Sequence, residues 1–221
     1  MSWLDSLLKH VAPYECIGCQ EEGSLLCRDC RLTLQTVPSR CYRCHKLTPG
    51  SKTCTSCRTQ SPLYRVTPAT VYEGLAKDLV WQLKFQGAQA AAREMAQLLV
   101  YHYDFAADLI LVPIPTATSR VRTRSYDQAQ LLAKQIARLT GCEYAPLLRR
   151  IGQHHQVGAA RRERITQLRG AYRVVRADNL QDKHIILIDD VLTTGATLEA
   201  AARTLKAAGV KRVSGAVFAQ A

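Results

Sequence analysis

Long apolar runs are missing from this chain; none approaches the roughly eighteen residues that a membrane span needs. The first fourteen residues hold a short apolar stretch at helical spacing (Trp3, Leu4, Leu7, Leu8). They lack the basic start and longer apolar core of an export signal. Aromatic residues make up only 6%, which leaves little for a dedicated base-stacking platform. No low-complexity tract is present, and no internal repeat except a doubled cysteine pattern. These absences lead to the expectation of a soluble, cytoplasmic protein without a membrane span. Its 221 residues suit one large domain or two unequal ones.

What is present is concentrated. Eight of the nine cysteines lie between Cys16 and Cys57, all in Cys-x-x-Cys pairs: Cys16/Cys19, Cys27/Cys30, Cys41/Cys44 and Cys54/Cys57. Two thiolates on such a turn face one tetrahedral ion, and two turns complete a four-sulfur shell. Two closed, structural zinc sites are therefore expected. A disulfide framework is the rival, and it requires export. Sequential pairing closes the shortest loops, although interleaved pairing is also possible. About forty residues bury little core, and metal would take its place. Cys142 stands alone and reads as a small core residue.

Charge is equally local. Between positions 120 and 176, thirteen Lys or Arg face three Asp or Glu, which accounts for ten of the net +12. Such a field draws polyanions, either nucleic acid or a small phosphorylated ligand. Arg120, Arg122 and Arg124 are the candidate nucleic-acid contacts within it.

A boundary is expected near residues 59–68, which separates an N-terminal module (1–60) from a second domain (61–221). Beyond it, strands and helices alternate: strand 66–72, helices 75–85 and 88–103, strand 108–113, helix 126–139. Paired strands at 143–148 and 171–175 would flank the basic loop. Strand 184–188, helix 196–208 and strand 210–218 follow. The pattern predicts an α/β, Rossmann-like parallel sheet covered by helices.

The most informative stretch runs from His184 to Thr197, HIILIDDVLTTGAT. An apolar strand ends on two carboxylates, a Thr/Gly turn follows, and a helix starts at once. In open α/β folds that position binds ligands. Backbone N–H groups of the turn and helix start cradle an anion, and threonine hydroxyls add donors. Paired carboxylates accept from vicinal hydroxyls. Together they describe a ribose 5-phosphate site.

This segment resembles the phosphoribosyl-pyrophosphate (PRPP) signature of type I phosphoribosyltransferases. By that resemblance Asp189 and Asp190 hold the ribose hydroxyls. Val191, Leu192, Thr193, Thr194, Gly195, Ala196 and Thr197 complete the PRPP-binding stretch, with the 5-phosphate at Thr193–Thr197. Nearly the whole chain is similar to the ComF family of competence and DNA-utilisation proteins, which join a double zinc ribbon to such a domain. Leu83-Lys84-Phe85-Gln86-Gly87 resembles that family's Leu-Lys-Tyr-x-Gly. Val112-Pro113-Ile114-Pro115 resembles its Val-Pro-Val-Pro, which puts Pro113 and Ile114 near pyrophosphate. Arg124-Ser125-Tyr126-Asp127-Gln128 stands for Arg-Gly-Phe-Asn-Gln, Gln156 and Arg164 match a later pair, and Gln167 replaces an asparagine. The resemblance implies a flexible loop at 149–169 whose Arg161 and Arg162 meet the pyrophosphate. It implies Asp190, Arg124 and Arg164 as catalytic residues and Mg²⁺ as PRPP's companion.

Two readings stay open at this point. One is transfer of phosphoribose from PRPP to an unidentified acceptor. The other is a PRPP- or nucleotide-sensing module that binds single-stranded DNA or a DNA-processing partner during natural transformation.

Overall fold

The computed structural model describes residues 14–86, 88–151, 170–175 and 180–221. Its centre is a five-stranded parallel sheet in the order β1–β7–β6–β2–β3. The strands are β1 (Val66–Val71), β2 (Leu109–Pro113), β3 (Glu143–Tyr144), β6 (His184–Leu192) and β7 (Arg212–Gln220). A separate antiparallel hairpin pairs β4 (Leu148–Arg150) with β5 (Tyr172–Val174).

The strands are apolar on both sides because both faces are covered. On β6 the alternation of side chains sorts them. Ile186 and Ile188 join the core under α3 (Gly74–Phe85), α4 (Ala88–His102) and α6 (Gln128–Thr140). Ile185 and Leu187 enter the opposite core, under α7 (Ala196–Ala207). From β2 the chain proceeds to β3 at one edge, whereas from β6 it proceeds through α7 to β7 on the other side. The direction of winding therefore reverses between β2 and β6, and the crevice at their carboxyl ends is the expected ligand position.

Three expectations need correction. The strand predicted to stop at Ile188 runs on to Leu192, because pairing with β7 continues through Asp189↔Val217 and Leu192↔Gln220 after β2 has ended at Pro113↔Ile188. The predicted partner strands 143–148 and 171–175 are not one ladder. Glu143–Tyr144 joins the main sheet beside β2, Pro146 has no N–H to continue, and a new strand pairs with β5. Finally, α6 starts at Gln128 rather than Tyr126, because the Asp127 carboxylate caps it by accepting from the N–H groups of Ala129 and Gln130.

The two cysteine segments lie on opposite faces of the sheet. Leu25 and Leu26 of the first join the core beneath α3 and α4. There Arg31, on the short helix α1 (Arg28–Leu32), pairs with Glu94 and donates to Gln97 Oε1 at 2.7 Å. Tyr42 and Leu63, from and just beyond the second segment, join the core beneath α7. This segment includes helix α2 (Thr55–Arg58).

Candidate functional site

Sulfur atoms converge in two places. Cys16, Cys19, Cys27 and Cys30 form one group and Cys41, Cys44, Cys54 and Cys57 the other, each with its sulfurs within 4.8 Å of one another. Pairing is thus sequential. Cys19 and Cys27 Sγ are 3.6 Å apart, as are those of Cys44 and Cys54. A disulfide needs about 2.05 Å, whereas thiolates about 2.3 Å from zinc stand about 3.8 Å apart. All eight are free thiols, and each tetrad could hold one zinc ion.

The acid–base state of the thiols fits a cation too. The Ser56 hydroxyl and the Cys57 N–H hold Cys54 down to about 6. Burial and the neighbouring thiols push Cys57 up to about 12. In the first tetrad, burial raises Cys16, but N–H groups of Cys27, Cys19 and Gly18 outweigh it and leave about 6. Burial and Cys27 lift Cys30 to about 12. One thiolate per cluster discourages the next, and a divalent cation removes that penalty.

The second site is the crevice beside β6. Asp189 and Asp190 stand in its last stretch, beyond the end of β2, and Ile114 N–H donates to Ile188 O at 3.0 Å. Pro113 and Ile114 therefore lie alongside the diacid. Because they are consecutive strand residues, the two carboxylates face opposite sides. Asp190 turns toward α3, where Lys84 Nζ lies 2.7 Å from its Oδ2. Asp189 turns toward the hairpin, where it and Asp127 add to the burial that drives the Tyr172 hydroxyl up to about 12. That hydroxyl is buried without a hydrogen-bond partner among the described residues. Burial, then the charge of Asp190, pushes the Asp189 carboxyl well above the ordinary range, and Lys84 offsets this only in part. A diacid with surplus negative charge is suited to a divalent cation or to donating hydroxyls.

The turn follows directly. Val191 and Leu192 pack their side chains into the two cores, so only their backbones face the turn. Thr193 is exposed and Thr194 and Thr197 are half-buried. Gly195 takes φ 76°, ψ 2° in the left-handed region and caps α7. The first N–H groups of a twelve-residue helix are suited to cradling an anion; here that of Ala196 donates to Thr194 Oγ1 at 3.4 Å.

Lys84 is the residue that sequence reasoning did not assign. It belongs to the Leu-Lys-Phe-x-Gly element, whose motif character was its only signal. Arg124 ends α5 (Thr118–Arg124) and lies 5.0 Å over the Phe85 ring, beside the segment that delivers Lys84. Tyr126 fixes the same segment by donating to Leu83 O at 2.6 Å. Ser125, where the resemblance has glycine, sits at φ 64°. Asp127, where it has asparagine, accepts from Thr116 N–H at 2.8 Å and caps α6. A cleft of about 970 Å³ opens next to these residues, between Thr116, Asp127, Tyr144 and Arg150. Arg161, Arg162 and Arg164, with Gln156 and Gln167, fall outside the described residues.

Comparisons agree with this layout. Residues 121–221 match the model of the phosphoribosyl transferase domain. Competence protein F of Haemophilus influenzae is 26% identical, over 90% of this chain and 94% of that protein. Competence protein ComFC of Streptococcus pneumoniae is 27% identical, over 88% and 87%. Among solved structures, the chain is similar to glutamine PRPP amidotransferase from B. subtilis at 18% identity and a TM-score of 0.41. That match covers 58% of this chain but spans only about a quarter (26%) of the enzyme, and it is too slight to argue from. Among the described residues no helix is long and apolar enough to cross a membrane. Residues 121–221 thus carry a phosphoribosyl transferase domain, and the likeness to competence proteins over most of the chain is consistent with the ComF family.

Proposed function

We propose that this chain binds PRPP with Mg²⁺ in the crevice between β2 and β6 and transfers its phosphoribosyl group to an acceptor. The setting is natural competence, on the cytoplasmic side, where incoming DNA is used. Residues 1–60 form the zinc module with two structural zinc ions, and residues 61–221 form the transferase domain. One observation carries the reading. A diacid at the topological switch point, reached by Lys84, leads directly into a left-handed glycine turn and a helix N-terminus.

In this reading Asp189 and Asp190 accept from the ribose hydroxyls, and N–H groups of the 193–197 turn hold the 5-phosphate. Lys84 gives up Asp190 as ligand enters and faces the pyrophosphate, with Arg124 nearby. Pro113 and Ile114 form the wall along the leaving group. Mg²⁺, when bound with PRPP, neutralises charge that collects on pyrophosphate. The acceptor's lone pair forms a bond to C1 of the ribose while the C1–O bond breaks, and that electron pair departs with pyrophosphate. The open cleft bounded by Asp127, Tyr144 and Arg150 is the space for the acceptor.

A second reading has an observation of its own. Lys52, Arg58 and Arg212 stand 5.9, 5.9 and 4.7 Å from the centre of the Tyr64 ring. A cleft of about 690 Å³ there is also lined by Arg203, Lys206 and Lys211. Cations around a half-buried aromatic suit single-stranded nucleic acid.

Calorimetric titration of Mg²⁺ and PRPP into the zinc-loaded chain separates the readings. The wild type is expected to bind, and an Asp189→Asn/Asp190→Asn variant to lose binding. A pyrophosphate-release screen over candidate acceptors then distinguishes turnover from binding alone. If the folded wild type takes up no PRPP, the enzyme reading fails and salt-dependent DNA binding becomes the leading account.

A further inference from the structure

The two residues enclosed by the Cys41–Cys44 knuckle are Tyr42 and Arg43, and neither faces solvent as a spacer would. Tyr42 is 3% exposed. Its ring lies against the glycine of the anion turn so closely that a Cβ on Gly195 would stand 2.8 Å from Tyr42 Cδ2. Its hydroxyl donates to Glu199 Oε1 at 2.8 Å and meets Ser61 Oγ at 2.5 Å. Arg43 Nε stands 3.0 Å from the same Glu199 oxygen, and its Nη1 donates to Cys57 O at 3.5 Å. Glu199 is itself 1% exposed, and its N–H donates to Gly195 O at 2.9 Å in the first turn of α7. Arg203, one turn further along, reaches both Glu199 Oε2 (3.6 Å) and the carbonyl of Gln60 (2.8 Å).

These contacts make one continuous path. It begins at Cys41 and Cys44, passes through the side chains they enclose, and ends on the backbone whose N–H groups form the cradle. A thiolate knuckle keeps its shape only while its ion holds it. The orientation of Tyr42 and Arg43, and hence the seating of Gly195 and Glu199, depends on that shape.

We propose that Tyr42, Arg43 and Glu199 are positioning residues of the anion cradle, through which the Cys41–Cys57 metal site sets affinity for the 5-phosphate of a ribose phosphate. The ligand class rests on the function proposed above, but the mechanical coupling does not. Metal loss at this tetrad would then switch ligand binding off while the sheet persists. The Cys16–Cys30 tetrad has no such path among the described residues and would not do so.

The test uses the full-length, zinc-loaded chain and the variants Tyr42→Ala, Tyr42→Phe and, as a control on the other face, Arg31→Ala. Zinc content is measured first, and variants retaining two zinc ions are compared. Hydrogen exchange of the 193–199 amides reports the cradle without any ligand, and strand amides of β6 and β7 report the fold. Calorimetry with ribose 5-phosphate and, separately, with Mg²⁺ and inorganic pyrophosphate reports the two anion positions. Tyr42→Ala is expected to deprotect 193–199 while β6 and β7 stay protected. It should weaken ribose 5-phosphate by about tenfold, the scale of one misplaced charge-assisted hydrogen bond, and leave pyrophosphate unchanged. Tyr42→Phe, which restores the ring, should recover most of the loss, and Arg31→Ala should match the wild type. Unchanged protection of 193–199 in Tyr42→Ala overturns the proposal, as does equal weakening of both anions. If the wild type binds neither ribose 5-phosphate nor PRPP while Tyr42→Ala still deprotects the turn, the ribose-phosphate reading falls and the coupling stands.

Discussion

The two cysteine tetrads share a spacing pattern and differ in what they hold. The first knuckle encloses Ile17 and Gly18, an apolar pair whose glycine lets Cys30 and Leu75 approach. Its segment is fastened to α4 through Arg31 and Glu94. The second encloses Tyr42 and Arg43, whose long polar side chains cross to the start of α7. The ligating residues fix how a metal binds, and the residues between them decide what the metal stabilises. One tetrad braces the face of α4, and the other stands behind the 193–197 turn.

The sharpest way to break this comparison is to disable one tetrad at a time. Cys19→Ser and Cys44→Ser are matched changes, since both positions are exposed and both remove one ligand of four. Each is expected to cost more than about 4 kcal/mol of stability, because metal-binding energy is folding energy in so small a segment. Only Cys44→Ser should also abolish ribose 5-phosphate binding at a temperature where the protein is still folded. Thermal unfolding followed by calorimetry checks both. Equal loss of ligand in the two variants would make the tetrads equivalent.

A smaller perturbation makes the same point with single methyl groups. A Cβ at Gly18 would lie 2.7 Å from Cys30 Sγ, and one at Gly195 would lie 2.8 Å from Tyr42 Cδ2. Overpacking of this kind costs about 1–3 kcal/mol. Gly18→Ala should lower zinc affinity at the first tetrad, read by competition with a chromophoric chelator, and leave the ligand site alone. Gly195→Ala, strained further by its φ of 76°, should weaken ribose 5-phosphate without releasing zinc. Crossed results, with Gly18→Ala weakening ligand, would refute the assignment of faces.

This division of labour was only half visible in the sequence. Cys-x-x-Cys spacing is local, so both tetrads could be read from it, and shortest-loop pairing proved to be their order. The apolar run, diacid and Thr-Thr-Gly turn are also contiguous, so strand, turn and helix followed in order. Asp189 and Asp190 are adjacent in sequence, but β6 continues through them and alternation turns them to opposite faces. Lys84 and Asp190 are about a hundred residues apart, and no periodicity connects them. The same is true of Tyr42 and Glu199, 157 positions apart. Such contacts arise when the sheet closes and the cysteine segments dock on it, and single-sequence patterns carry no record of docking. Ser125 and Asp127, where the resemblance has glycine and asparagine, take local roles as a left-handed helix end and a helix cap.

The smallest effect tests whether the crevice is strained independently of either tetrad. Asp189 has its pKa raised in the folded protein, chiefly by burial and then by Asp190. The folded state therefore holds this proton more tightly than the unfolded chain does. The stabilisation is complete below the unfolded value, about 3.9, and is lost as pH climbs through the raised folded value. Above the unfolded value, the raised pKa of Asp189 is therefore a net cost to the free protein. Asp189→Asn cannot ionise and keeps an oxygen to accept from Asp190 N–H, as Asp189 Oδ1 does at 2.9 Å. It should be more stable than the wild type by about 1 kcal/mol at pH 7.5, with the gap closing toward pH 4, while PRPP binding is lost. Melting curves at the two pH values measure the gap. The opposite trend, a variant less stable at neutral pH, would mean that Lys84 already neutralises the diacid and that the crevice stores no charge for a cation to relieve.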